Sequence, residues 1–374
     1  MRRPGALALL LLCTSPLFWA PASAYSLPTS ARAARPPLVM AMSSAPHAPN
    51  GKVVVLGAGV IGASIAYHLA ERDVAATVVD RAGIAKAASG KGGGVALDWN
   101  DGSGGGGGSR LSFKLHAELA EKLQLDSYRR MSCRAVAVEA SGKPASKKLQ
   151  DVEWVDLGVH GSRLMGDTST IAQVHPRQLT EALMASAQCR GATFKVAKVE
   201  EVLTEANPAG GLKVVGVKME GGDVIPADTV VVAMGPWSQT AAKGLTLPPI
   251  FGQKYHSVLM QNSRELSEAV FFQGLGDPEV YPRPKGEVYV TGFPDAPITV
   301  TEAPGEEEVR LEVGDRLVAA VRLASSELQQ VALTRKTKHK TRNPTPQESK
   351  KRNTKHETRN PKPERVSYVP GTVW

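Results

Sequence analysis

Along residues 52–80 the apolar positions change period twice. Val53 to Leu56 is an unbroken apolar run, the pattern of a strand buried on both faces. Gly57, Gly59 and Gly62 follow, after which Ile61, Ile65 and Leu69 recur at helical spacing, with Tyr67 and His68 off that stripe. Val74 to Val79 is strand-like again, and Asp80 ends it. Strand, glycine turn, helix, strand and acid in this order predict a βαβ unit that binds a dinucleotide. Gly57 permits the tight turn, Gly59 lets the backbone approach a pyrophosphate, and Gly62 lets the helix pack close to the strand. The helix start at Gly59, Val60 and Ile61 then points free N–H groups, and about half a unit of positive charge, at the phosphates. Asp80 is placed to accept hydrogen bonds from an adenosine ribose. Its charge repels a 2′-phosphate, which makes NADP the poorest candidate.

Further along, the pattern alternates. A second glycine-rich turn spans Ala88 to Gly94 and leads into Val95 to Trp99. Gly102 to Ser109 is nearly all glycine and predicts a floppy surface insertion. Helices are expected over Leu111–Leu125, over Gln178–Gln188 behind His175-Pro176, and over Leu311–Leu323. Tyr128–Glu139 and Phe194–Leu203 look like strands. Leu212–Met219 and Val224–Ile225 form a hairpin around Gly221-Gly222, and Thr229–Ala233 is a second fully apolar strand. Val258–Gln261, Ala269–Gln273 and Glu287–Thr291 are further strands, the last two fitting an antiparallel sheet. The body therefore divides into an α/β part, about 51–110 and 190–245, and a mixed α+β part, about 111–189 and 246–334.

Charge changes the picture only at the ends. The chain of 374 residues carries +9, but residues 1–50 hold four arginines and no acids, and residues 335–374 hold twelve bases against three acids. The body at 51–334 is left at −4, so the overall charge does not indicate a nucleic-acid partner. Arg2 and Arg3, the apolar run Ala6–Cys13 and Ala22-Ser23-Ala24 make a signal-like segment over 1–24, too short in its apolar part to span a bilayer. Residues 25–50 have transit-peptide composition, and together the two resemble the bipartite plastid leaders of algae with secondary plastids, a plain secretory signal with a linker being the alternative. In the tail, TKHKTRNPTP at 337–346 recurs as TKHETRNPKP at 354–363, polar enough that no fold is expected. It reads as a basic arm or as translated repeat DNA. Cys133 and Cys189 are expected to be ordinary buried thiols, with no disulfide framework and no metal-ligand spacing.

The glycine fingerprint, the Ala88–Gly94 turn, the Asp228–Ser238 strand with its glycine, and the segments AASGKGGGVALDW, GQKYHS and DPEVYPRPKGEVYVTG resemble the D-amino-acid-oxidase-type FAD-dependent oxidoreductases, the group of glycine and sarcosine oxidases. The resemblance covers about residues 52–325, and the segments most resemble a eukaryotic branch. It implies an FAD-binding Rossmann-like domain interleaved with a sheet-based substrate domain. Along the FAD it places Ser89, Gly90, Lys91, Gly93 and Gly94, then Val199 and Gly235, with Arg81 beside Asp80. Physical argument favours FAD over NAD as well. After Asp80 the chain runs straight into a second glycine turn, whose amides can form an anion nest, instead of into further βα units. The implied reaction is oxidation of a C–N bond in an amine or amino acid, with oxygen or another carrier as electron acceptor. An NAD-dependent dehydrogenase and a non-catalytic FAD-fold protein are the alternatives. Nothing after Leu323 matches the family's closing segment, which supplies a substrate-carboxylate arginine, so an exposed strand edge and apolar face are expected there.

Flavin supplies the hard chemistry in such enzymes, so no strong general base is required. Gln253, Lys254 and His256 are candidates to face the flavin. Lys254 would favour an anionic reduced ring by Coulomb attraction, and His256 suits a hydrogen-bonded structural role better than a proton shuttle. Within VYPRPKG, Tyr281 and Arg283 could reach a substrate carboxylate, although Arg283 between two prolines fits a rigid surface turn equally well. Trp99 and Trp237 are read as packing residues.

Overall fold

The computed structural model describes residues 51–98, 106–146, 151–242, 245, 247–331 and 366–369. The leader, Trp99 and both copies of the tail repeat lie outside them.

Val53–Leu56 is central in a parallel four-stranded sheet, flanked by Ala76–Asp80 on one side and Thr229–Val232 on the other, with Thr193–Val196 beyond Ala76–Asp80. Val54, Val55 and Leu56 are at most 1% exposed, which explains the unbroken apolar run. Each such side chain contributes about 1.5–3 kcal/mol by leaving water. One sheet face carries the helices Val60–Ala70 and Pro176–Cys189, joined through Ala63, Ala66, Tyr67, Leu183 and Met184. The other carries an antiparallel meander of Val199–Ala206, Leu212–Met219 and Val224–Pro226. The helix Pro176–Cys189, assigned by sequence to the substrate part, thus belongs with the cofactor sheet, as does Leu119 of the helix Gly106–Lys122.

The second part is a seven-stranded sheet whose strands are ordered out of chain sequence. From one edge it runs Val366–Val369, His256–Gln261, Glu287–Gly292, Glu279–Pro282, Ala269–Gln273, Cys133–Val138 and Val159–Gly166. Period-2 alternation gives it two faces of different character. Val136, Val270, Val280, Val288, Val290 and Val258 point to one face and are covered by Leu317, Val318 and Val321 of the helix Leu311–Ala324. The opposite face carries Cys133, Glu279, Tyr281, Tyr289 and Ser257.

Several sequence expectations need correction. Ile61 is exposed and Tyr67 is buried, so the first helix buries its small residues and Tyr67, while Ile65 and Leu69 of the expected stripe are half-buried and pack against the same core. A large side chain at position 62 has no room there, because even a Cβ would collide with the Gly57 carbonyl oxygen. Phe194–Leu203 breaks into two strands of different sheets. The Ala197 N–H donates to the Asp80 carbonyl, closing the parallel ladder, and the chain then turns into the meander. Ala269–Gln273 and Glu287–Gly292 are not neighbours, since Glu279–Pro282 lies between them and pairs antiparallel with both. Tyr128–Glu139 is also split, into Arg129–Arg130 and Cys133–Val138. Gly106 to Ser109 are helical, not part of a loose insertion. Cys133 is buried but Cys189, at the end of its helix, is exposed. The edge expected to lie bare is paired: Val366–Val369, within the tail, runs antiparallel along His256–Gln261. The apolar face is covered as well.

His68, His116, His175 and His256 all have pKa values lowered chiefly by burial. Each therefore binds fewer protons folded than unfolded, so their contribution is complete above the ordinary histidine pKa of about 6.5 and is lost as pH falls below it. Thermal melts should show the midpoint dropping between pH 7 and pH 5. His116, with 5% exposure, should carry part of that drop, so His116→Gln should flatten the pH profile.

Candidate functional site

The glycine turn after Val53–Leu56 is shaped by backbone packed on backbone. Gly57 has φ +102° and faces the Ala233 carbonyl oxygen so closely that no Cβ fits. Its N–H donates to the Val79 carbonyl at 2.7 Å, tying the turn to the second strand. Gly59 precedes the first helical residue, and a Cβ there would meet only the Ser89 hydroxyl, at 3.1 Å. Ser89 accepts the Val60 N–H at 2.9 Å, which brings the second glycine turn onto the helix N-terminus. The Ile61 side chain next to it is exposed. Helix start and second turn thus form one cradle, with the charge and amides an anion prefers.

Asp80 is more committed than the sequence implies. One carboxylate oxygen accepts the Ala58 N–H at 2.9 Å, and the other accepts from Ala82 at 2.8 Å and Gly83 at 3.0 Å. By lone-pair count, acceptor capacity remains on the oxygen bound to Ala58, enough for a ribose hydroxyl. Arg81, its neighbour, is bound instead by the Glu302 carbonyl and carboxylate. Lys198, next to the buried Val199, reaches the same Glu302 carboxylate at 2.7 Å. Gly235 has φ +53°, and a Cβ there would meet nothing within 4 Å. Two residues on, the Trp237 indole N–H donates to the Thr301 carbonyl at 2.7 Å.

In the second turn, Gly90 presses against the Ala85 carbonyl and Gly94 against that of Val174. Lys91 points its ammonium at Glu307, 3.6 Å away, with side-chain exposures of only 9% and 4%. The segment from Thr301 to Glu307 therefore touches four elements predicted to line the cofactor. It bonds Arg81, Lys198, Trp237 and Lys91 in turn. Sequence reading missed it, since a run of glutamates looks like any solvated loop.

The substrate sheet meets this turn directly. A Cβ on Gly93 would sit 2.8 Å from the Tyr281 ring, so only a glycine lets the turn lie flat on that aromatic. Arg283 is not a surface turn. At 6% exposure it donates to the Gly92 carbonyl at 2.7 Å and to Glu287 at 2.6 Å, and its guanidinium lies 4.8 Å from the Tyr289 ring centre. Tyr281 donates to Glu279 at 2.5 Å, and burial first, then the Glu279 charge, pushes its phenol pKa far up. Glu279 was not picked out by sequence. Its place two residues before Tyr281 in an alternating strand was the available signal.

The other two candidates, Lys254 and His256, form a separate cluster with Asp295 and Arg310. Lys254 is 3.6 Å and His256 3.3 Å from one Asp295 oxygen, and Arg310 binds the other. Arg310 lies 2.9 Å from His256 Nε2, the same nitrogen that faces Asp295 at 3.3 Å, so guanidinium and carboxylate meet at one ring atom. Burial is the main cause of its lowered pKa, which suits a structural histidine. Burial raises the Asp295 pKa, but His256, Arg310 and Lys254 together outweigh this and hold it low. Gln253 is half-buried beside Gly252, which bridges to Ile298.

A parallel sheet with a phosphate cradle at its switch point, backed by a mixed sheet bearing aromatics, defines a dinucleotide-dependent enzyme of two interleaved parts. Comparison with known proteins makes this specific. The model of the DAO family, FAD dependent oxidoreductase, matches residues 52–335. The chain belongs to this family of FAD-dependent oxidoreductases. A Schizosaccharomyces pombe protein, named as an oxidoreductase, is 26% identical over 285 residues, covering 66% of this chain and 71% of its own. Among solved structures, glycine oxidase from Bacillus cereus superposes with TM-score 0.60 at 21% identity, over 75% of this chain and 81% of the other. L-proline dehydrogenase from P. horikoshii gives 0.59 at 18%, over 75% and 78%. At such identities these two show the shared fold. The open space at Gly235, the free helix amides and the remaining acceptor on Asp80 all fit FAD, the family's cofactor.

The buried Lys91–Glu307 pair yields a stability test. Glu307→Gln leaves the Lys91 ammonium without its counter-charge, which should cost about 3–5 kcal/mol. Urea denaturation of flavin-free protein should report that loss. Added FAD should reduce it if the diphosphate lies near Lys91.

Proposed function

We propose that the chain oxidises the C–N bond of a small amine or amino acid. The observation that carries this reading is the joint between the two parts. The turn that completes the phosphate cradle rests, through Gly92 and Gly93, on Arg283 and Tyr281 of the substrate sheet. A small molecule lying on that sheet face is thereby adjacent to the far end of a cofactor held at Gly59 and Asp80. FAD, when bound, supplies the two-electron acceptance that the oxidation requires. The protein's share is to hold and orient. The helix amides and Ser89 bind the diphosphate side, Asp80 takes a ribose hydroxyl, and Gly235 leaves room beside the cofactor. Tyr281, Tyr289 and Phe271 form an apolar wall that keeps water off the reacting face, with ring centres 5.7–5.9 Å apart. Lys254 acts in this reading as a fixed positive charge close to the flavin, neutralised in part by Asp295. Arg283 is a framework residue, because Glu287 and Gly92 already hold its guanidinium.

Full-length protein should purify yellow, with flavin bands released on denaturation. It should turn over members of an amine and amino-acid panel with oxygen or an artificial acceptor. Gly59→Val should abolish the colour. Colourless protein that takes up no FAD, or flavoprotein that oxidises 2-hydroxy acids and no amine, overturns the proposal.

A further inference from the structure

One face of the seven-stranded sheet is buried under a helix, and the other looks toward the cofactor cradle through the Tyr281–Gly93 contact. On that second face the register places Ala135, Phe271, Glu279, Thr291 and Ser257 in one row across five strands. Tyr281 and Tyr289 stand opposite each other in the next row. Glu279 is the acid in the row, and it is half-buried, so it can still be reached from outside. Its known partner is the Tyr281 hydroxyl, which donates at 2.5 Å. Among the described residues no Lys, Arg or His pairs with it, whereas three other acids near the site have such a partner: Glu307 has Lys91, Glu287 has Arg283, Asp295 has Arg310.

We propose that Glu279 is the recognition group for a protonated amine, so that the preferred substrates are cationic amines whose binding does not depend on a carboxylate. This deepens the proposed function and rests on it. A carboxylate on an aromatic face without a counter-ion is destabilised by lost hydration, and an incoming ammonium restores the missing charge. Burial raises the Glu279 pKa, the direction expected of an acid whose cation is not part of the protein. The surrounding rings suit the same ligand, since the faces of Tyr281 and Phe271 attract cations. Arg283, the group that would favour a substrate carboxylate, has its charge met by Glu287 at 2.6 Å. Tyr255, also buried, feels the Glu279 charge, which raises its pKa after burial itself.

The test uses the full-length holoprotein and two probes of equal ring size, cyclohexylammonium and cyclohexanecarboxylate, titrated at neutral pH against the visible flavin absorption. The amine should perturb the spectrum at concentrations at least tenfold below those the carboxylate needs. Glu279→Gln keeps the acceptor for Tyr281 and removes the charge. It should retain its flavin, weaken amine binding at least tenfold and bind the carboxylate probe no more weakly than before. Unaltered amine binding in that variant overturns the assignment. So does tighter binding of the carboxylate by the unmodified protein, a result that stands even if the variant does not fold. Unmodified protein that holds no flavin is a different failure, of the proposed function beneath, and takes this assignment with it.

Discussion

The structure depends on backbone meeting backbone at Gly57 and Gly62. The chain leaves the central strand, turns against the Ala233 carbonyl, and starts a helix whose third residue rests on the turn itself. A Cβ at Gly57 would collide with the Ala233 carbonyl oxygen and one at Gly62 with the Gly57 carbonyl oxygen, so either change forces backbone apart. Because the helix sits so close, its N-terminus lies over the strand ends, where its amides and dipole converge. Ser89 then uses the first amide to draw in the second turn, and that turn is the platform on which the other sheet rests. Cofactor cradle and substrate face are therefore set by one chain of contacts, each too short for a larger residue.

The two faces of the seven-stranded sheet divide the work. Valines on one side lock to the helix Leu311–Ala324 and hold the sheet flat against it. Hydroxyls, rings and the acids Glu279 and Glu287 line the other side, which faces the cofactor cradle. Because side chains alternate strictly, a slip of one residue would exchange the faces. The register Tyr281↔Tyr289 and Glu279↔Thr291 thus defines the site as much as it defines the fold.

Much of this was legible in the residues, and the misses share a physical cause. The βαβ unit announced itself because a doubly buried strand must be apolar throughout and a phosphate turn must be glycine. The helix face was misread in part, because Ile61 falls outside the contact that Ile65, Leu69 and Tyr67 make. Ile61 points outward at 40% exposure, whereas alanines fill the interface where space is short. Glu279–Pro282 was not picked out as a strand, since Pro282 and Pro284 frame Arg283, yet Pro282 ends a strand instead of interrupting one. The residues the sequence singled out, such as Asp80 and Lys91, are those with unusual chemistry in an unusual setting. Glu279, Glu302, Glu307 and Asp295 went unseen because an acid carries no signal until its neighbours are known.

Two of those acids, Glu302 and Glu307, bear on why a body with net charge −4 can take up a cofactor carrying a diphosphate. Local arrangement outweighs the total, since interactions beyond about 10 Å are largely screened while those within the groove are not. Around the groove the bases Arg81, Lys198 and Lys91 are each held by an acid of one short segment, so their positions are set although much of their charge is cancelled. Attraction for the diphosphate then falls mainly to the helix amides, which no carboxylate occupies. Partial neutralisation has a consequence for selectivity. A groove with three free bases would bind any polyanion, whereas one with its bases already paired rewards only a ligand that also fills the space beside Gly59 and Gly235 and meets the remaining acceptor of Asp80.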